Sequence, residues 1–140
     1  MSYDVSLVDP VTKETLHTDT PHQMRGGTYA LGGTSEMWLN ITYNYSRWYY
    51  KDGVFPTKDG ENRGLRSIYG MSGTESIPVL KNAIMVLESL TEDISNEERK
   101  DSEEHGATGY WMPTRTNAIK PLYSLLAFAQ MRPDGVWDGD

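Results

Sequence analysis

The stretch LNITYNYSRWYY, Leu39 to Tyr50, decides how this chain is read. Leu39-Asn-Ile-Thr-Tyr-Asn-Tyr-Ser46 alternates side by side like a strand, yet Ile41, Tyr45, Trp48 and Tyr49 also recur at helical spacing. One solution satisfies both periods. A strand runs through about Ile41, Thr42 or Asn44 caps, and a helix continues to about Tyr50. Thr and Asn suit the cap because their side-chain oxygens accept backbone N–H groups that the first turn leaves orphaned.

Working outward, Tyr3-Asp-Val-Ser-Leu-Val8 alternates and is rich in strand formers. Asp9-Pro10 is a turn signal, and Glu14 to Asp19 resumes a weaker alternation, so the two segments are expected to form a hairpin. Pro21 to Gly27 reads as loop. Thr28 to Leu31 is a short strand candidate between the pairs Gly26-Gly27 and Gly32-Gly33, which free the backbone for tight bends. Downstream, Lys51 to Gly64 is rich in Gly, Asp, Lys and Asn and reads as an exposed loop. A helix is expected from Thr74, capped by Thr74 or Ser76, with Pro78 in its first turn and Ile77, Leu80, Ile84 and Leu87 on one stripe. Ser72, in Gly70-Met-Ser-Gly73, is placed in the turn that caps this helix. A second helix starts near Asn117, with Pro121 near its start, and ends at Arg132-Pro133-Asp134-Gly135. The tail then offers Trp137 as its anchor.

Strands first and helices second make this an α+β chain: a small antiparallel sheet of three to four strands, packed by three to four helices. With 140 residues, a single domain over 1–140 is expected. Residues 1–41 should be mainly strands and 42–140 mainly helices, with loops at 51–64 and 91–113.

Charge and composition narrow the function. The net charge of −7 is uneven: residues 1–70 carry seven Lys/Arg against eight Asp/Glu, residues 71–140 six against twelve. Such a chain is a poor match for phosphate backbones, so direct nucleic-acid binding is not expected. Cysteine is absent, so thiolate metal sites and disulfides are excluded. No charged-then-apolar leader is read at Met1 and no apolar run reaches the ~20 residues of a membrane span. The expectation is a soluble protein of the bacterial cytoplasm, without membrane contact.

No motif of chemistry stands out. The three His, at 17, 22 and 105, lack metal-ligand spacing, and Gly70-Met-Ser-Gly73 lacks the spacing of a nucleophile elbow. Neither glycine pair fits a phosphate-binding loop. No catalytic residue, cofactor or metal is therefore assigned, although a spatially assembled hydrolase site is a reading the sequence leaves open. Aromatic side chains at residues 43–50 are ordinarily core, but interleaved amides and Arg are costly to bury unpaired, at about 1–3 kcal/mol each. They are therefore surface, an internal network, or the wall of a site. The candidate ligand-binding set is His22, Arg25, Asn40, Tyr43, Asn44, Arg47, Arg66, Tyr69 and Trp111, which offers Gly-rich backbone N–H groups and guanidinium forks to a small anion. Tyr110-Trp-Met-Pro113 is either a loop anchored to the body or a lid or contact patch. Glu88 to Glu104, with eight acids against two bases, is a solvated connection, partly helical, or a row of charges that imitates phosphates. Exposed aromatics would equally serve a homo-oligomer face.

At Asn40-Ile-Thr-Tyr-Asn44, Gly64-Leu-Arg-Ser-Ile-Tyr-Gly70 and Met131-Arg-Pro-Asp-Gly-Val-Trp-Asp-Gly-Asp140, the chain resembles short uncharacterised proteins of phage, prophage and bacterial genomes. That resemblance carries no catalytic residues. It implies a phage-type context and a strand passing into a helix at the N-I-T segment. Small phage proteins of this sort are often structural accessories or agents that blunt host defences. The leading expectation is a non-enzymatic binding protein that sequesters a small anionic, nucleotide-like ligand or holds a host protein. The alternatives are an acidic inhibitor of a host nucleic-acid-binding protein and a virion accessory protein.

Overall fold

The computed structural model describes residues 1–22 and 33–140. The Thr28 to Leu31 strand candidate and Arg25 lie outside the described residues. The expected α+β class is what the chain adopts, in a single compact domain. Its strands are β1 (Ser2–Val8), β2 (His17–His22), β3 (Thr34–Glu36), β4 (Trp38–Thr42) and β5 (Val136–Gly139). Its helices are α1 (Ser46–Tyr49), α2 (Gly73–Ser89), α3 (Asn96–Glu104) and α4 (Arg115–Met131), with short 3-10 turns at Tyr43–Tyr45, Gly64–Ile68 and Gly109–Trp111.

β1 is the middle of a three-stranded antiparallel sheet ordered β4-β1-β5. Its alternation puts Tyr3, Val5 and Leu7 on the buried face, opposite Ile41, Leu39 and Trp137 respectively. Each such side chain contributes about 1.5–3 kcal/mol through area removed from water. The expected hairpin with Glu14 to Asp19 is not the pairing adopted. That segment meets β1 only at its end, through the Val8–Thr15 bridge and Leu16 N–H on Leu7 O at 2.9 Å, and β2 then pairs with β3. Both edges of β1 are taken by β4 and β5, whose apolar residues Leu39, Ile41 and Trp137 extend its buried face, so long-range burial outweighs the nearer partner. The tail is likewise more than an anchor: it forms β5, and the Trp137 indole N–H donates to the buried Ser76 hydroxyl at 2.7 Å. Gly135 makes this return possible, since a Cβ there would sit 2.6 Å from Leu7 Cγ.

α2 and α4 pack along one another over the sheet's inner face, through Leu80, Ala83, Ile84 and Leu87 on one helix and Ala118, Leu122, Leu125 and Ala129 on the other. Ser72, rather than Thr74 or Ser76, caps α2, in a reciprocal capping box with Glu75. With the cap there, Pro78 falls in the second turn and not the first; Pro121 likewise sits in the second turn of α4, one residue deeper, where it is buried. The 51–64 loop departs from the expectation of full exposure, because Val54 and Phe55 plug it into the core, Phe55 edge-on to Tyr49 at 6.1 Å. Among the described residues no helix is long and apolar enough to cross a membrane.

Candidate functional site

The junction at 39–50 forms as its two periods require. β4 ends at Thr42, whose hydroxyl accepts the Asn44 N–H at 3.2 Å, and the chain turns through the 3-10 segment into α1. Tyr45, Trp48 and Tyr49 then point into the core. Their polar ends reach the chain near α4: Tyr45 O–H donates to Tyr110 O, Trp48 Nε1–H to Pro113 O at 2.9 Å, and Tyr49 O–H to Ala118 O at 2.7 Å. Asn44 adds an amide N–H to Trp111 O at 2.9 Å. The interleaving of aromatic and amide residues thus has a packing cause. Rings fill the core while the donors of Tyr45, Trp48 and Asn44 satisfy carbonyls of the loop before α4, and that of Tyr49 reaches a carbonyl in the first turn of α4. Burial pushes the Tyr45 and Tyr49 hydroxyls well above their ordinary range.

The expected site residues are distributed over several places. His22 lies against β3 and α4, with its ring nitrogen on Glu36 O and its ring 5.0 Å from Phe128. Asn40 is on the outer face of the sheet, donating to Ser2 Oγ and Asp4 Oδ1, both at 2.7 Å. Tyr43, Arg66 and Tyr69 gather at Asp140. The Arg66 guanidinium donates to Asp140 O at 3.0 Å and Tyr43 O–H at 3.1 Å, and lies 4.7 Å from the Tyr3 ring centroid. Burial first, and the Asp140 carboxylate second, raise the Tyr69 hydroxyl. Asn44 and Arg47 face α3 instead, and the Trp111 ring, partly exposed, rests on Tyr110 at 4.8 Å.

The segment holding α3 is expected to be a solvated, partly helical connection or a row of charges, and in the fold α3 also borders the hollows beside Asn44 and Arg47. Ser95 caps it by accepting the Glu98 N–H at 3.0 Å. The pattern Ser95-Asn-Glu-Glu98, a Ser three residues ahead of Glu, is the signal that could have located it. None of its residues is buried. Glu98 forms an ion pair with Arg47, and Lys51 reaches Glu92 at 3.1 Å, with both cations lying over the Trp48 ring. On one flank a hollow of about 290 Å³ is bordered by Asn44, Arg47, Asp101, His105 and Pro113. On the other, a hollow of about 460 Å³ is bordered by Arg99, Glu103, Met112, Thr114 and Asn117. His105 is exposed, with Nδ1 2.8 Å from Asp101 O. Among the described residues no three His, Asp or Glu side chains gather as a metal-binding set. What this region can do chemically is hold polar or charged groups in solvent-open surroundings. Compared with known proteins, the chain matches no family model, no curated protein and no solved structure.

Proposed function

We propose that this is a non-enzymatic binding protein whose working surface is the acidic side of the molecule around α3, docking on a basic patch of a partner protein. The observation that carries the reading is that α3 has no buried residue and displays Glu97, Glu103 and Glu104 to solvent. A helix that adds nothing to the core yet presents several carboxylates to solvent suits electrostatic recognition, which steers encounter and favours cationic partners. The partner of this reading is a nucleic-acid-binding protein, with the carboxylates standing where phosphates would. The test is capture from a bacterial lysate by the wild type and by the triple variant Glu97→Gln, Glu103→Gln, Glu104→Gln, followed by a DNA gel shift with the captured protein. Capture lost in the triple variant, and a wild-type protein that displaces DNA, is the expected result. A partner retained equally well by the neutralised variant would sink the reading.

A small anionic ligand is the second reading, favoured by the hollow that Asn44, Arg47 and His105 share. It ranks behind the first because, among the described residues, the two candidate arginines are engaged, Arg47 by Glu98 and Arg66 by Asp140 and tyrosines. Titration calorimetry against a nucleotide panel tests it, and no heat from any member removes it.

A further inference from the structure

We infer that residues 95–108 form a strap, pinned at both ends and latched near its leading end by charge, which lifts from the body as a unit while the rest of the fold stays closed.

Both pins are buried or hydrogen-bonded. Before the strap, Ile94 is buried and the Asp93 carboxylate accepts the Arg115 N–H at 3.1 Å, while Arg115 donates to Glu92 O at 3.1 Å and Leu87 O at 2.9 Å. After it, Met112 is buried and the carbonyls of Tyr110, Trp111 and Pro113 are held by Tyr45, Asn44 and Trp48. Between the pins nothing comparable exists. α3 is nine residues long with no buried side chain, too short to persist by helix propensity alone. It is undercut by a hollow on each flank, so that Ser102 and Ala107 are the partly covered residues of its underside. The Arg47–Glu98 ion pair is the charge contact that crosses from α3 to α1, with both side chains about half exposed. Exposed pairs are weak and screened by salt. Gly106 and Gly109, at φ +81° and +61°, supply the bend at the trailing end.

Lifting the strap joins the two hollows into one trough floored by Asn44, Arg47, Met112, Pro113, Thr114 and Asn117, and frees the Arg47 guanidinium. The device therefore switches this side of the molecule between an acidic ridge and a groove with an unpaired cation. It holds whether or not a partner docks on the ridge, and its test needs no partner.

Hydrogen exchange read by mass spectrometry on the full chain provides that test. Amides of Arg99 to His105 should exchange far faster than those of α2 and α4 at low salt. Raising salt from about 0.05 M to about 0.5 M should speed them roughly two- to fivefold, as expected for loss of one exposed ion pair. Arg47→Ala and Glu98→Gln should each do the same at low salt, leave α2 and α4 unchanged, and not add when combined. Strap amides that exchange together with those of α2, or that respond to neither salt nor variants, would overturn the inference.

Discussion

Two neighbouring regions use polar side chains to opposite ends. In the α1 turn, Asn44, Tyr45, Trp48 and Tyr49 each send one donor to a carbonyl of the segment from Tyr110 to Ala118, and three of the four side chains are buried. In α3, just across the hollow, a more highly charged segment buries nothing. The contrast teaches that polar content by itself does not mark a working surface. A polar atom attached to a large ring can be structural glue, because the ring supplies the burial and the carbonyl supplies the partner. A carboxylate on a short stem with no ring beneath it stays in water, since desolvating it unpaired is far too costly.

That comparison can be broken by experiment. Trp48→Ala should cost about 3–5 kcal/mol in denaturant unfolding, the usual range for removing a buried large aromatic. A loss below ~1 kcal/mol would mean that α1 is not part of the core's support. Asn44→Ala should cost about 1 kcal/mol, as one net hydrogen bond to Trp111 O, and should loosen residues 109–113 in hydrogen exchange.

Tyr49→Phe should cost a similar ~1 kcal/mol at neutral pH and should also change the alkaline limb. Burial raises the Tyr45 and Tyr49 hydroxyls above the ordinary value of 10.0, so the unfolded chain loses these protons first. Their contribution is thus fully present below about pH 10 and falls as pH rises beyond it. The Phe variant should show a shallower decline in that range, and an unchanged decline would contradict the burial-driven shift. The smallest effect belongs to α3. Neutralising Glu97, Glu103 and Glu104 to Gln should leave stability within about 0.5 kcal/mol, the ordinary range for surface changes. A larger loss would make α3 structural and erase the contrast.

Legibility followed the same division. The strand, cap and helix at 39–50 were readable because each signal acts within a few residues: alternation to Ile41, the Thr42 oxygen on the Asn44 amide, then a helical turn. The apolar stripe of α2 was readable for the same reason, as were the existence of α4 and a turn role for Ser72. The partner of β1 was misjudged, because the near segment is offered by the turn at Asp9-Pro10 while the adopted neighbours come from residues 38–42 and 136–139. The expected gathering of His22, Asn44 and Arg66 at one place was likewise not what the fold adopts. Each finds a partner 14 to 74 residues away, on a different part of the surface.

By itself the sequence determined the α+β class, the two long helices, the strand-to-helix junction and an acidity concentrated in the second half. Only the tertiary structure decided which strands flank β1, that the tail is one of them, and that the donors of 44–49 close on carbonyls between Tyr110 and Ala118 while α3 buries no side chain. Periodicity and capping are contests among adjacent residues, so they can be judged along the chain. The destination of a buried donor depends on whichever carbonyl the packed core brings within 3 Å or so of it, and that is settled only when distant segments meet.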